Sequence, residues 1–127
     1  MRASSSKPQL LLVFKHQGLR ALIGAQLLEE GYRVRGVATL EEALNLVAGG
    51  RVRPAVVILD TLQQPLTLAA MDSLPSSLAL LVCTGPLDRG GPLLSQRPQT
   101  VMLQKPFTLR ELVDAVRKIC YKKMQEG

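Results

Sequence analysis

The sequence predicts an α/β protein of three layers, in which helices cover both faces of a five-stranded parallel sheet. Short apolar runs alternate with segments whose apolar residues recur at helical spacing, over 127 residues. Such alternation is typical of strand–helix–strand units with parallel strands. Runs that are apolar throughout indicate strands covered on both faces. The length and the 46% hydrophobic content suit a single domain.

The first elements are a buried strand, a helix and a strand near the sheet edge. Residues 9–14 (QLLLVF) form a continuous apolar run. Residues 18–30 place leucine and isoleucine at helical spacing, and Gly31 follows as a typical C-terminal glycine. Residues 32–38 (YRVRGVA) alternate between polar and apolar, which favours a half-exposed strand.

A second helix and the most apolar strand come next. Thr39 and Glu42 have the spacing of a capping box, and the helix that they begin stops at Gly49 and Gly50. Residues 54–60 (PAVVILD) then predict a buried strand that ends on Asp60.

The region between the third strand and the last helix is rich in proline and glycine. A short helical stretch is predicted near residues 66–73, between two prolines. Residues 78–84 (LALLVCT) form a buried strand, and residues 85–98 predict a loop with at most one or two helical turns. Residues 100–104 (TVMLQ) predict the fifth strand.

The last helix begins at a second capping pattern. Thr108 precedes Glu111 by three residues, and the helix has an apolar side that runs to about Lys123. We expect residues 1–8 to form a flexible basic N-terminal tail, residues 9–123 the domain, and residues 124–127 a C-terminal tail.

Composition excludes several classes of protein. With two cysteines and one histidine, the chain has neither a disulfide framework nor a Cys/His metal cluster, and Cys83 and Cys120 are expected to be buried thiols. His16 is expected to be an exposed loop residue. No run is long enough for a membrane span, so we expect a cytoplasmic protein. The net charge of +6 lies partly at the chain ends, and aromatic residues make up 3%. Nucleic-acid binding by this domain alone is therefore not expected.

Chemistry in such a fold gathers at the carboxyl ends of the strands. At the predicted third and fourth strand ends stand Asp60 and Thr84, and Lys105 with Pro106 follows the fifth. Phe14 closes the first strand. Each residue alone has an ordinary structural explanation. Only their shared position at the carboxyl ends of parallel strands suggests a site.

This pattern resembles the receiver domain of response regulators. The most specific matches are VVILD, which ends on Asp60, and QKPF, which contains Lys105 and Pro106; Arg20, early in the first helix, also matches. The resemblance covers about residues 9–121 and implies a flavodoxin-like fold with strand order 2-1-3-4-5. It also implies that Asp60 accepts a phosphoryl group from a histidine kinase, while Thr84 and Lys105 bind that group.

Three departures from the family pattern concern the metal and the switch. An acidic pair that holds Mg²⁺ in the family is replaced by Phe14 and Lys15, a local change of three charge units. The aromatic switch residue two places before the lysine is Leu103. The loop after Asp60 is also altered and shortened.

The resemblance and the departures together predict a divergent receiver that acts as a protein-interaction module, without the usual Mg²⁺-dependent phosphorylation. It is not expected to be an enzyme, and no cofactor or metal is expected, except weakly bound Mg²⁺ at Asp60 if the site accepts phosphate. We hypothesise that Lys15 and Lys105 both form ion pairs with Asp60, because a buried carboxylate needs a cationic partner.

Four alternatives stay open at this stage. Asp60 could be only a hydrogen-bonded strand-end residue, or it could be a working phosphoacceptor. A nucleotide-binding enzyme on the same fold is poorly supported, because FKHQG lacks a glycine-rich phosphate loop. A basic nucleic-acid module is the fourth.

The partners that the resemblance implies are a histidine kinase or a downstream signalling protein. It also implies a homodimer through the last strand and the last two helices. The helix before the last one would fall in the Gly/Pro-rich stretch 85–98, where the sequence favours a loop. This weakens the prediction of that helix and of the dimer that would use it.

Overall fold

A computed structural model describes residues 7–61, 72–85 and 99–126 of the chain. The strands in this part of the chain are β1 (Gln9–Val13), β2 (Arg33–Val37), β3 (Val56–Asp60), β4 (Ala79–Thr84) and β5 (Thr100–Gln104). Its helices are α1 (Gln17–Glu29), α2 (Leu40–Ala48) and α3 (Leu109–Glu126).

The strands form one parallel sheet in the order β2-β1-β3-β4-β5. This confirms the predicted fold class and strand order. Every residue of β3 and β4 is buried, as their continuous apolar runs predict, whereas most residues of β2 and β5 are partly or fully exposed. The order places β3, β4 and β5 side by side, so their carboxyl ends meet at one edge.

Alternate residues of the strands build two cores on opposite faces of the sheet. On one face Leu12, Phe14 and Ile58 pack with buried residues of α1 and α3. On the other face Val13 and Leu59 pack with α2. This alternation follows from the period of two in a strand, and it fixes which face each residue near the strand ends must occupy.

Both capping patterns read from the sequence are confirmed. The Thr39 side chain accepts from the Glu42 amide, and the Glu42 carboxylate accepts from the Thr39 amide, both at 3.2 Å. At α3 the Thr108 amide donates to Glu111 Oε1 at 2.7 Å, and the Glu111 amide donates to Thr108 Oγ1 at 3.0 Å. Gly31 follows α1 with φ of 100°, a backbone conformation that glycine adopts without strain.

The remaining boundaries differ from the predictions by a few residues. α3 continues to Glu126, so residues 124–126, assigned to a tail, extend the helix. Lys123 near its end donates to the Ser77 carbonyl at 2.8 Å, which attaches these last turns to the start of β4. The helical stretch predicted near residues 66–73 and the loop predicted over residues 85–98 lie almost entirely outside the described residues.

Candidate functional site

Asp60 is the last residue of β3 and is almost completely buried, with 3% of its side chain exposed. Four apolar residues precede it in the strand and fill the two cores. In the register of the sheet Asp60 lies opposite Cys83 of β4. The carboxylate therefore stands at the boundary between the aliphatic core and the carboxyl edge of the sheet, where an uncompensated charge is costly.

Lys105 supplies the compensating charge. Its Nζ donates to Asp60 Oδ1 at 2.6 Å, a short, charge-assisted contact, while 27% of the lysine side chain stays exposed. The lysine follows β5 directly, and its backbone N–H donates to the Thr84 carbonyl at 2.7 Å. Lys105 thus reaches across the end of β4 to Asp60. The peptide bond that joins Lys105 to Pro106 is cis.

Thr84 lies between these two residues. It ends β4, is 8% exposed, and accepts the Lys105 amide through its carbonyl. The structure therefore brings Asp60, Thr84 and Lys105 together at three neighbouring strand ends. A role for the Thr84 hydroxyl as a phosphoryl ligand stays a prediction.

Phe14, at the first of the two acidic-pair positions, belongs to the hydrophobic core. It is fully buried and packs among the residues between the sheet, α1 and α3. Its N–H donates to the Val37 carbonyl at 3.1 Å, and its own carbonyl accepts from Arg20 Nη1 at 2.7 Å. The end of β1 thus holds an apolar ring where the family pattern has a carboxylate.

Lys15, at the second position, has an exposed side chain. None of the ion pairs between described residues involves it. Of the two ion pairs hypothesised for Asp60, the pair with Lys105 is formed and the pair with Lys15 is not formed in this structure.

Arg20 has a role that sequence reasoning did not assign. Besides its bond to the Phe14 carbonyl, its stem lies against Gly36 of β2, where a Cβ would stand 3.2 Å from Arg20 Cδ. Arg20 therefore links the start of α1 to the carbonyl at the end of β1. The sequence signal was its position early in the first helix, but its acceptor was visible only in three dimensions.

His16 is exposed, as expected, and also caps a helix. It is the N-cap of α1, and its Nδ1 accepts from the Leu19 amide at 3.0 Å. This bond satisfies one of the amides that a helix start leaves without a partner. The cap was missed because histidine is an uncommon residue at this position.

Cys83 is the second feature that the sequence did not reveal as part of the site. Both cysteines are free and buried, as predicted. Burial raises the pKa of the Cys83 thiol to about 12, the nearby Asp60 carboxylate adds to the rise, and Lys105 opposes it. The thiol beside Asp60 is therefore neutral and poorly nucleophilic near neutral pH.

Leu103 and Pro106, assigned to the switch region, lie beside the site. Leu103 of β5 is half-buried and packs against the core, whereas Pro106 is exposed. Phe107 also packs partly against the core. Leucine supplies neither a ring nor a hydroxyl that could report the state of Asp60 to the surface.

The side chains at this edge do not fit Mg²⁺. The cation requires several oxygen ligands, yet Phe14 and Lys15 offer none, and one Asp60 oxygen is bound by the Lys105 ammonium. Within the described ranges no three His, Cys, Asp or Glu side chains are grouped so that they could hold a metal ion. Among the described residues, these strand ends present one buried carboxylate that is paired with one lysine.

The comparisons with known proteins agree on the fold. The signal receiver domain described for a Luxo repressor protein from Vibrio parahaemolyticus superposes with a TM-score of 0.77 at 21% identity, over 94% of this chain and 95% of that one. A response regulator receiver protein from Sinorhizobium medicae gives 0.73 at 19% identity, over 95% and 99%. A protein described as a response regulator from Chloroflexus aurantiacus gives 0.73 at 26% identity, over 91% and 99%.

These superpositions show that the chain has the fold of response-regulator receiver domains, as its motifs predict, at a low level of sequence identity. Neither a protein-family model nor a curated protein matches the chain. No helix among the described residues is sufficiently long and apolar to cross a membrane.

We predict that Lys105→Met destabilises the protein by about 2–3 kcal/mol, because it leaves a buried carboxylate without its ammonium partner. Methionine keeps a stem of similar length, so packing is largely preserved. Lys15→Met is the matched control, and its effect should stay within about 0.5 kcal/mol, since Lys15 is exposed and forms no ion pair. Urea unfolding measures both, and equal losses in the two variants would contradict the assignment.

Cys83 makes stability depend on alkaline pH. Its thiol pKa rises from 9.0 to about 12 on folding, so the unfolded chain loses this proton first. The contribution of this raised pKa to the free energy of unfolding is fully present below pH 9 and is lost as the pH rises towards 12. Between these values the free energy of unfolding should fall more steeply than in Cys83→Ala, by about 1.4 kcal/mol per pH unit. If the free energy of unfolding has the same pH dependence in both proteins, folding does not raise the pKa of the Cys83 thiol.

Proposed function

We propose that the chain is a signalling module that binds a protein partner through a receiver fold whose phosphoacceptor site is held by a permanent ion pair. The observation that carries the proposal is the 2.6 Å contact of Lys105 Nζ with the buried Asp60 carboxylate, beside a strand end where Phe14 is core. In this arrangement the Lys105 ammonium neutralises the Asp60 carboxylate without a metal ion or a phosphoryl group.

The charge balance supports this proposal. Transfer of a phosphoryl group to a carboxylate brings two anions together, and receiver-type sites overcome the repulsion with Mg²⁺ and a lysine. Here Lys105 already neutralises the charge of Asp60. Phe14 and Lys15 occupy the two positions where an acidic pair would attract Mg²⁺. We therefore propose that Asp60 has a structural role.

The function that remains is recognition of a partner, without catalysis. FKHQG, which follows β1, lacks the glycine-rich loop of nucleotide-binding enzymes. The buried Cys83 thiol is protonated and does not supply a nucleophile. A cytoplasmic location is part of the proposal, and its support is the pair of free cysteines, since thiols persist in reducing compartments.

A working phosphoacceptor is the second candidate. Its support is that Asp60, Thr84 and Lys105 stand at three adjacent strand ends, where the resemblance to receiver domains implies a phosphoacceptor and two phosphoryl ligands. In that case a histidine kinase is the partner, and Lys105 would move from Asp60 to the incoming phosphoryl group. Mg²⁺ would then be bound weakly, because Asp60 is the one carboxylate among the candidate site side chains.

The two candidates predict different responses to beryllofluoride, a phosphoryl mimic that forms on an aspartate. Our proposal predicts that the amide NMR signals of Asp60, Thr84 and Lys105 do not move when Mg²⁺ and then beryllofluoride are added to the folded protein. The reason is that the Lys105 ammonium already occupies the carboxylate and no second acidic ligand recruits the metal.

Asp60→Asn is the control, because it removes the acceptor while keeping the size of the side chain. Saturable, Mg²⁺-dependent shifts in the wild type that vanish in Asp60→Asn would overturn our proposal and establish the phosphoacceptor. Shifts common to both proteins would reflect binding elsewhere and leave the proposal standing.

A further inference from the structure

The edge strand β2, which β1 separates from β3 in the sheet, carries a cluster of cations. Arg33 and Arg35 occupy alternate positions of β2, and Arg51 and Arg53 lie in the connection between α2 and β3. All four are exposed. These four residues are called the arginine edge.

Backbone contacts and a shared groove bring the four arginines together. Gln9 of β1 lies opposite Arg33 in the sheet register, and its Oε1 accepts from the Arg53 amide at 3.2 Å. Arg35 and Arg51 line one groove between β2 and α2, with Val37 and Leu46 on its floor and walls. The arginine edge is therefore one continuous surface, although its members are up to 20 positions apart in sequence.

The arginine edge keeps a net positive charge and forms no ion pair within the described residues. None of their three ion pairs involves it. Glu42 also lines the groove and adds one negative charge, and its Oε1 accepts from the Ala38 and Thr39 amides, both at 3.2 Å, in the α2 cap.

The backbone of β2 can still pair on its outer side. In the described sheet β2 has β1 as its single neighbour. The Val37 carbonyl accepts from the Phe14 amide, so the peptide groups of Val37, and by alternation those of Arg35, face β1. The peptide groups of Val34 and Gly36 therefore face away from the sheet, where a further strand would lie.

We propose that an extended, acidic segment of a partner protein pairs with β2 as a sixth strand and places its carboxylates on the arginine edge. Backbone hydrogen bonds would supply affinity, and carboxylates at every second position of the segment would lie on the same face of the sheet as Arg33 and Arg35. A second copy of this chain is a poor occupant, because its own β2 would oppose arginine with arginine.

The groove favours a peptide over a nucleic acid. Val37 and Leu46 give it apolar surface beside the two cations, and an open strand edge recognises a peptide backbone. Aromatic residues, on which unpaired bases stack, make up 3% of the chain. This surface lies outside the Asp60 site, so the inference holds for either function discussed above.

The test is binding of a fluorescein-labelled peptide of alternating glutamate and valine, followed by fluorescence anisotropy with the full chain at physiological salt. We expect Arg33→Glu/Arg35→Glu to weaken binding by about tenfold or more, since opposite charges become like charges. Arg110→Glu/Lys118→Glu is the matched control, because it makes the same charge change at exposed positions of α3. The affinity of this control for the peptide should stay within about twofold of wild type if binding depends on where the charges lie and not on the net charge.

Two further arms separate strand pairing from attraction between charges. A peptide of the same sequence with N-methyl groups on alternate amides keeps its charge but cannot pair along one edge, and the isomer methylated on the hydrogen-bonding edge should lose binding. The amide signals of Val34 and Gly36 should gain protection from hydrogen exchange in the complex. Arg33→Gln/Arg35→Gln replaces the reversed pair if that pair fails to fold.

Four outcomes would overturn the proposal. They are absence of binding by the folded wild type, equal losses in the arginine-edge and α3 variants, equal binding by all methylated isomers, and tighter binding of duplex DNA that displaces the peptide from the same arginines. The last outcome would assign the arginine edge to nucleic acid.

Discussion

The burial of Asp60 is the constraint on which the carboxyl edge of this sheet depends. A carboxylate with 3% of its side chain exposed must be neutralised, and the Lys105 ammonium does so from the end of β5. Because β4 lies between β3 and β5, the ion pair spans three strand ends, and the bond from the Lys105 amide to the Thr84 carbonyl holds its position. The same pair that stabilises the fold therefore occupies the atom on which receiver chemistry would begin.

The end of β1 shows how one fold can keep its architecture and change its chemistry. Phe14 extends the aliphatic core up to the strand end, and Arg20 binds the carbonyl that closes it. The Phe14 ring packs in that core and offers no oxygen ligand, so the present residue disfavours metal binding. The exposed Lys15 offers no oxygen ligand at the neighbouring position. Both residues therefore disfavour the binding of a divalent metal ion at the end of β1.

Much of this architecture could be predicted from the sequence, because it depends on local patterns. Continuous apolar runs located β3 and β4, and Thr39 located the start of α2. Side-chain partners were harder to predict. Lys15 and Lys105 both follow a strand end, and the strand order places β1 nearer to β3 than β5, yet Lys105 binds Asp60 and Lys15 stays in solvent. The same holds for the arginine edge, whose members become neighbours only through the β1–β2 register.

The direct test of this account is a double-mutant cycle on the central ion pair, with Asp60→Asn, Lys105→Met and both changes together, read as free energies of unfolding. If the pair organises the site, the two residues should show a coupling energy of about 1–3 kcal/mol, and the double variant should be more stable than Lys105→Met alone. A coupling energy indistinguishable from zero would contradict the account, because Asp60 and Lys105 would then stand side by side without depending on each other.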